Sequence, residues 1–175
     1  MKSYLTALIT IICISSICLA QAQQSKPTLY LFLSDECIIT QYYVPTINDI
    51  AAEFGDHIDM VAIFPNFSSK PKKIDAFYQK YKLNIPHKTD YYKTLSKSLG
   101  ATVTPEAILV NNKGQIIYQG RIDNSYVQIG KRRRVVTKHE LTDALSATVT
   151  NKEIAESETK AIGCFINFKD QISQQ

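Results

Sequence analysis

The chain has 175 residues, with 20 Lys and Arg against 16 Asp and Glu and a net charge of +4. That length holds about one domain behind a leader, with enough chain to bury its own core. The mild basicity, without a recognised reader motif, excludes a nucleic-acid reader as the expected class.

Residues 1–22 read as a secretory signal peptide. Lys2 precedes an apolar run from Tyr4 to Ala20, and Ala20-Gln21-Ala22 is a small-x-small cleavage signal. Thr6, Thr10, Ser15 and Ser16 within the run argue against a membrane anchor, so no stable span is expected once the signal is removed. Ile12 before Cys13 and Ile17 before Cys18 do not suit a lipid-bearing cysteine. Cleavage after Ala22 leaves 153 of the 175 residues and two of the 4 cysteines, Cys37 and Cys164. The expected location is periplasmic or secreted. There, two cysteines suit a pair, and two in a chain of this length suit chemistry better than stapling.

Residues 28–34, TLYLFLS, predict a buried strand. A helix is predicted from about Cys37 to Phe54, with Val44, Ile47, Ile50, Ala51 and Phe54 as its buried stripe. Pro45 is expected to kink or divide it. HIDMVAIF, residues 57–64, predicts a second strand, and strand-helix-strand implies a parallel βαβ unit. Ser69 as cap and Pro71 in the first turn start a second helix facing inward with Ile74, Phe77, Tyr78 and Tyr81. A short strand follows near Ile85 to Lys88. Asp90 then caps a third helix that uses Tyr92, Leu95 and Leu99 and stops at Gly100. EAILV and QIIYQGRI around NNKG predict a β-hairpin. The run Lys131 to Arg134 is read as a solvated basic loop, with an anion or partner contact as the alternative. Thr137-Lys138-His139-Glu140 has the form of a capping box for a last helix through Leu141, Ala144 and Leu145 to about Thr148. The apolar AIGCFINF around Cys164 predicts a tail that docks.

Strands and helices in this order predict an α/β chain with a central mixed β-sheet and helices on both faces. Cys37 falls just past the C-terminal end of the first strand, where open α/β sheets meet ligands. At the start of a helix, the unpaired N–H groups and the positive end of the dipole favour a thiolate, the nucleophilic form. Asp35 and Glu36 oppose that if they lie close. The alternative is a buried, inert cysteine.

Three stretches, YLFLSDECIITQYYVPTINDIAAEF, LGATVTPEAILVNNKGQIIYQGRID and ETKAIGCFINF, resemble the thioredoxin-fold redoxins, the exported thiol-disulfide and peroxiredoxin-like superfamily. The resemblance runs across most of the chain after residue 22 and implies a three-layer thioredoxin-like fold. It implies that Pro105, after Thr104, is cis and faces the Cys37 turn. It also marks departures. There is no Trp, and Thr40 stands where a C-x-x-C motif has its second cysteine. Glu36-Cys37-Ile38-Ile39 lacks the family's proline. Of the peroxiredoxin signature, Ser34 matches the hydroxyl but Tyr30 replaces the proline, and Arg121 is the nearest candidate for its arginine.

The expected function is therefore thiol-dependent oxidoreduction with Cys37 as nucleophile. Cys164 is either the resolving cysteine or a structural or inert one. Supporting residues are Thr40, bonded to the sulfur or to the helix backbone; Thr104 and Pro105; and Glu106, either a proton shuttle or an exposed strand residue. Partners are protein thiols or disulfides, or small peroxides, together with an external reductant; no cofactor and no metal are expected. The alternatives are a peroxide reductase, a non-catalytic binding module and a copper-thiolate chaperone. Position 41 is Gln, so the C-x-x-x-C pair of copper-delivering relatives is missing, and His57, His87 and His139 have no metal spacing. The expected domain layout is a signal peptide at 1–22, a thioredoxin-like domain at 23–153 and a tail at 154–175 carrying Cys164.

Overall fold

The computed structural model describes residues 25–169. The signal peptide expected at 1–22 and the last residues of the tail lie outside them.

A five-stranded mixed sheet forms the centre. Its strands are β1 (Thr28–Phe32), β2 (Asp59–Phe64), β3 (His87–Thr89), β5 (Glu106–Val110) and β6 (Ile116–Gly120), in the order β3-β2-β1-β5-β6. β1 runs parallel to β2, and β2 to β3, while β5 lies antiparallel to β1 and β6 antiparallel to β5. The parallel half is crossed by α1 (Ile38–Phe54) and α2 (Pro71–Tyr81). α3 (Thr94–Leu99) leads into β4 (Val103–Thr104), and α4 (Glu140–Val149) closes the domain. Two small ribbons stand beside the sheet: β7 (Tyr126–Gln128) with β8 (Lys131–Arg132), and β4 with β9 (Cys164–Phe165).

Alternation along β1 divides the core. Leu29 and Leu31 pack with the apolar stripes of α1, α2 and α4, among them Val44, Ile47, Ile74, Phe77, Leu141 and Leu145. Phe32 faces the other way and packs with Ile63, Ala101, Ile108, Val110 and Ile166, with Leu95 and Leu99 of α3 against them. The sheet thus has helices on both faces, as predicted. The NNKG hairpin also forms, with Asn111 Oδ1 accepting the N–H groups of Lys113 and Gln115.

Several local expectations are corrected. α1 is undivided, running 17 residues with Pro45 inside it. The third strand lies slightly later than expected, at His87–Thr89. Lys70, not Ser69, is the N-cap of α2; the Ser69 hydroxyl donates instead to the Asp35 carboxylate. Asp90 does serve α3, accepting from the N–H groups of Leu95 at 3.2 Å and Ser96 at 2.7 Å. Tyr92, however, is 78% exposed and not on its inner face. The capping box does not form. Thr137 pairs with the Asn124 side chain, and Glu140 is buried in an ion pair with Arg121. Both side chains find long-range partners in place of the backbone groups at the helix start.

Candidate active site

Cys37 is the N-cap of α1, in extended backbone (φ −83°, ψ 115°), with its carbonyl accepting the Gln41 N–H at 3.0 Å. The turn before it is tied from several sides. Cys37 donates its N–H to the Ser34 carbonyl, Ser34 donates its own N–H to Thr40 Oγ1 at 3.4 Å, and Gln41 Nε2 donates to the Asp35 carbonyl at 2.9 Å. Thr40 thus bonds neither the sulfur nor the helix backbone as expected. Fully buried, it braces the turn that aims Cys37. The carboxylates of Asp35 and Glu36 turn to α2. Asp35 takes the Ser69 hydroxyl, and Glu36 pairs with Lys73 at 2.5 Å across the half-exposed surface. The Lys73 hydrogen bond holds the Glu36 carboxyl below the usual carboxylate range.

The Thr104-Pro105 bond is cis, as the resemblance implies. The loop it shapes brings the Thr104 carbonyl within 3.2 Å of the Cys37 thiol, which donates to it. Cys164 arrives from the far end of the chain. It sits opposite Thr104 in the β4–β9 pairing, and its Sγ donates to Cys37 Sγ at 2.8 Å across a separation of 127 residues. Thr104 Oγ1 donates to the Cys164 carbonyl at 3.3 Å, tying the two strands together. The two cysteines are not joined by a disulfide. They form instead a reduced relay, from the Cys164 thiol to the Cys37 thiol to the Thr104 carbonyl. Burial first, then the hydrogen bond to Cys37 and its negative charge, push the Cys164 thiol up to about 12.

Glu106 is a correction to both readings made of it. It is 5% exposed, and its carboxylate accepts the N–H groups of Thr102 at 2.7 Å and Val103 at 3.2 Å and the Gln119 amide at 3.0 Å. It points with Phe32, its partner across β1, to the α3 side of the sheet, whereas Cys37 packs with the opposite core. Its role is to hold β4 in place. Arg121, the candidate for a peroxide-binding arginine, is engaged through Nε and a second guanidinium nitrogen by Glu140.

The rim of the site was not foreseen. Tyr42, Tyr43 and Tyr126 stack edge to face or tilted, with centroids 5.1 to 6.0 Å apart, and the Arg132 guanidinium lies 4.8 Å from the Tyr42 ring. Tyr43 donates to Asp123 Oδ1 at 2.5 Å, and burial keeps its phenol far above the usual range. The double tyrosine in QYYV was the available signal. The basic run Lys131 to Arg134 is exposed, partly in β8. Among the described residues no group of three His, Cys, Asp or Glu is placed to hold a metal, and no helix is long and apolar enough to cross a membrane.

Solved structures share this architecture. A hypothetical protein from Sinorhizobium meliloti 1021 matches with a TM-score of 0.69 at 25% identity, over 87% of this chain and 85% of that one. A thioredoxin-like protein in its oxidised form matches with 0.56 at 18% identity, over 76% and 84%. The fold is thioredoxin-like. A third structure on this thioredoxin-like scaffold is a secreted Mycobacterium tuberculosis disulfide oxidoreductase, homologous to E. coli DsbE. It matches with 0.53 at 17% identity, over 71% of this chain and 83% of that one. No protein-family model matches the sequence, and no curated protein does.

Proposed function

We propose that this chain is an exported thiol-disulfide oxidoreductase in which Cys37 is the nucleophile and Cys164 resolves its mixed disulfide. The observation that carries the reading is the 2.8 Å approach of the two sulfurs at the N-terminus of α1, beside the cis-Pro loop. The secreted disulfide oxidoreductase of the same fold supports both the chemistry and a location outside the cytoplasm. The proposed layout remains a signal peptide at 1–22, a thioredoxin-like domain at 23–153 and a tail at 154–175.

The steps are as follows. Cys37, having lost its proton to solvent, attacks one sulfur of a protein disulfide. The new S–S bond forms as the substrate's other sulfur leaves as a thiolate and takes up a proton. Cys164 then loses its proton and attacks Cys37 Sγ. The Cys37–Cys164 bond forms, the second substrate sulfur leaves, and the substrate has gained two electrons and two protons. An external dithiol returns the pair to the reduced state by the same exchange. The ordering is built into the pair: while Cys37 carries charge, Cys164 is held protonated. Once Cys37 is bonded to substrate, that charge is gone and Cys164 loses its proton more readily. Disulfide exchange is preferred to peroxide reduction because the Arg121 guanidinium is committed to Glu140.

The test is peptide mass mapping after alkylation, before and after one equivalent of a model peptide disulfide. Cys37 and Cys164 should both be labelled when reduced. After reaction neither should be labelled, and the two should be recovered in one disulfide-linked fragment. A persistent adduct on Cys37 with Cys164 still labelled would remove the resolving role. No reaction at Cys37 would remove the enzyme.

A further inference from the structure

The segment that carries Cys164 is tied to the body at two separate places. Upstream, Gln119 donates its N–H to the Ser157 carbonyl and Thr159 donates to the Gln119 carbonyl, both at 2.9 Å. Gly120 (φ 153°) makes this crossing possible, because a Cβ there would lie 2.0 Å from Thr159 Oγ1. Downstream, β9 lies on β4, and Ile166 donates its N–H to the Thr102 carbonyl at 3.0 Å. A two-residue ribbon has little stability of its own.

Two residues seat the downstream end. At Gly163 a Cβ would fall 2.2 Å from the Thr104 carbonyl oxygen and 2.5 Å from its carbon, so only glycine lets the backbone lie against the cis-Pro loop. Ile166, 4% exposed, inserts among Phe32, Ile63, Ala101 and Ile108, while the intervening Phe165 is 78% exposed and pairs with Val103 of β4. Beneath this segment Cys37 is 1% exposed. No sulfur other than that of Cys164 reaches it while the segment is seated.

We propose that residues 163–166 form a strap, seated by Gly163 and Ile166, that controls access to Cys37 independently of the Cys164 sulfur. Gly163 and Ile166 are positioning residues. Seated, they hold Cys164 against Cys37 and favour closure of the internal pair. Unseated, they open Cys37 to an outside thiol or disulfide. The upstream tie at Ser157–Thr159 keeps the strap tethered in both positions. The consequence for exchange rests on Cys37 being the reactive thiol, but the strap itself is a statement about access.

The test uses the full chain with Cys164→Ser and follows iodoacetamide labelling of Cys37 by peptide mapping, with thermal unfolding measured in parallel. Cys37 should label slowly in Cys164→Ser alone. Adding Gly163→Ala or Ile166→Asp should raise the rate on the order of tenfold or more, as local opening becomes easier. Ile166→Leu should stay at the slow rate. Equal rates in all four proteins overturn the strap, and so does an equal rise with Ile166→Leu. Disulfide exchange failing in the earlier experiment would remove the oxidoreductase and leave this result standing, since alkylation reads access and not turnover.

Discussion

The carboxylate of Glu106 accepts the backbone N–H of Thr102 at 2.7 Å and of Val103 at 3.2 Å, so the residue after the cis-proline holds the two residues that precede Thr104. This is a brace for β4, on the face of the sheet away from the Cys37 core. Glu106→Ala leaves the N–H of buried Val103, and that of Thr102 beside it, without this acceptor, at a cost of about 1–3 kcal/mol. A lowered urea midpoint should show it. Glu106→Gln should leave the pH profile of Cys37 alkylation where it is; a displaced profile would restore the carboxylate as a proton shuttle.

Cys164 should titrate differently once its neighbour is removed. Its thiol stands at about 12, raised first by burial and then by the hydrogen bond to Cys37 and its charge. In Cys37→Ser the charge goes and burial stays, so the midpoint of Cys164 alkylation should fall while remaining above 9.0, the ordinary thiol value. The sign for stability follows. A thiol with a raised folded value stabilises the reduced protein below pH 9, and that contribution is lost as pH rises toward about 12. An unmoved midpoint in Cys37→Ser means that the sulfurs do not interact.

What was legible in the chain was whatever depends on neighbours in sequence. The NNKG hairpin, the buried face of α1 and the Gly100 stop each need only local turn chemistry or periodicity. Gly100 indeed takes φ 73° at the end of α3. The capping box failed because Asn124 and Arg121, both remote, offered Thr137 and Glu140 better partners than the helix start did. The docking of AIGCFINF was legible from its apolar residues. Its register was not, since two paired residues carry no period and the fit depends on a close approach between Gly163 and Thr104. Glu106 was misread for the same reason. Nothing in T-P-E-A says that the carboxylate folds back on the chain just before it.

Arg121 and Glu140 should behave as a unit. The Glu140 side chain is 2% exposed and that of Arg121 25%, and Glu140 Oε2 has no hydrogen-bond partner among the described residues. Arg121→Met strands a buried carboxylate, a loss of about 3–5 kcal/mol. The double variant Arg121→Met, Glu140→Leu should recover most of it in chemical denaturation. Additive losses would show that the two side chains are independent.

Alkaline pH above the ordinary tyrosine range should destabilise the protein through its buried tyrosines. Tyr118 is fully buried and donates to the Arg121 carbonyl at 2.6 Å, and burial raises its phenol from 10.0 to about 12. Below pH 10 its contribution is complete; between 10 and 12 the unfolded chain ionises first. The loss is on the order of 2–3 kcal/mol. Tyr43 and Tyr78, also raised by burial, act in the same direction at higher pH. Tyr118→Phe should flatten the fall in unfolding free energy across that window.

Synthesis runs from Cys37 toward Cys164, 127 residues later. At ordinary elongation rates of about 5–20 residues per second, Cys37 exists for roughly ten seconds before Cys164 is made. The central sheet is complete in sequence at Gly120, and β9 is the last of the described strands, so the body of the sheet can assemble with Cys37 uncovered. A chain stopped or nicked ahead of Gly163 keeps every strand of the central sheet and loses the strap. Under the proposed mechanism it would persist as a one-thiol protein, trapping partners that the complete chain would release.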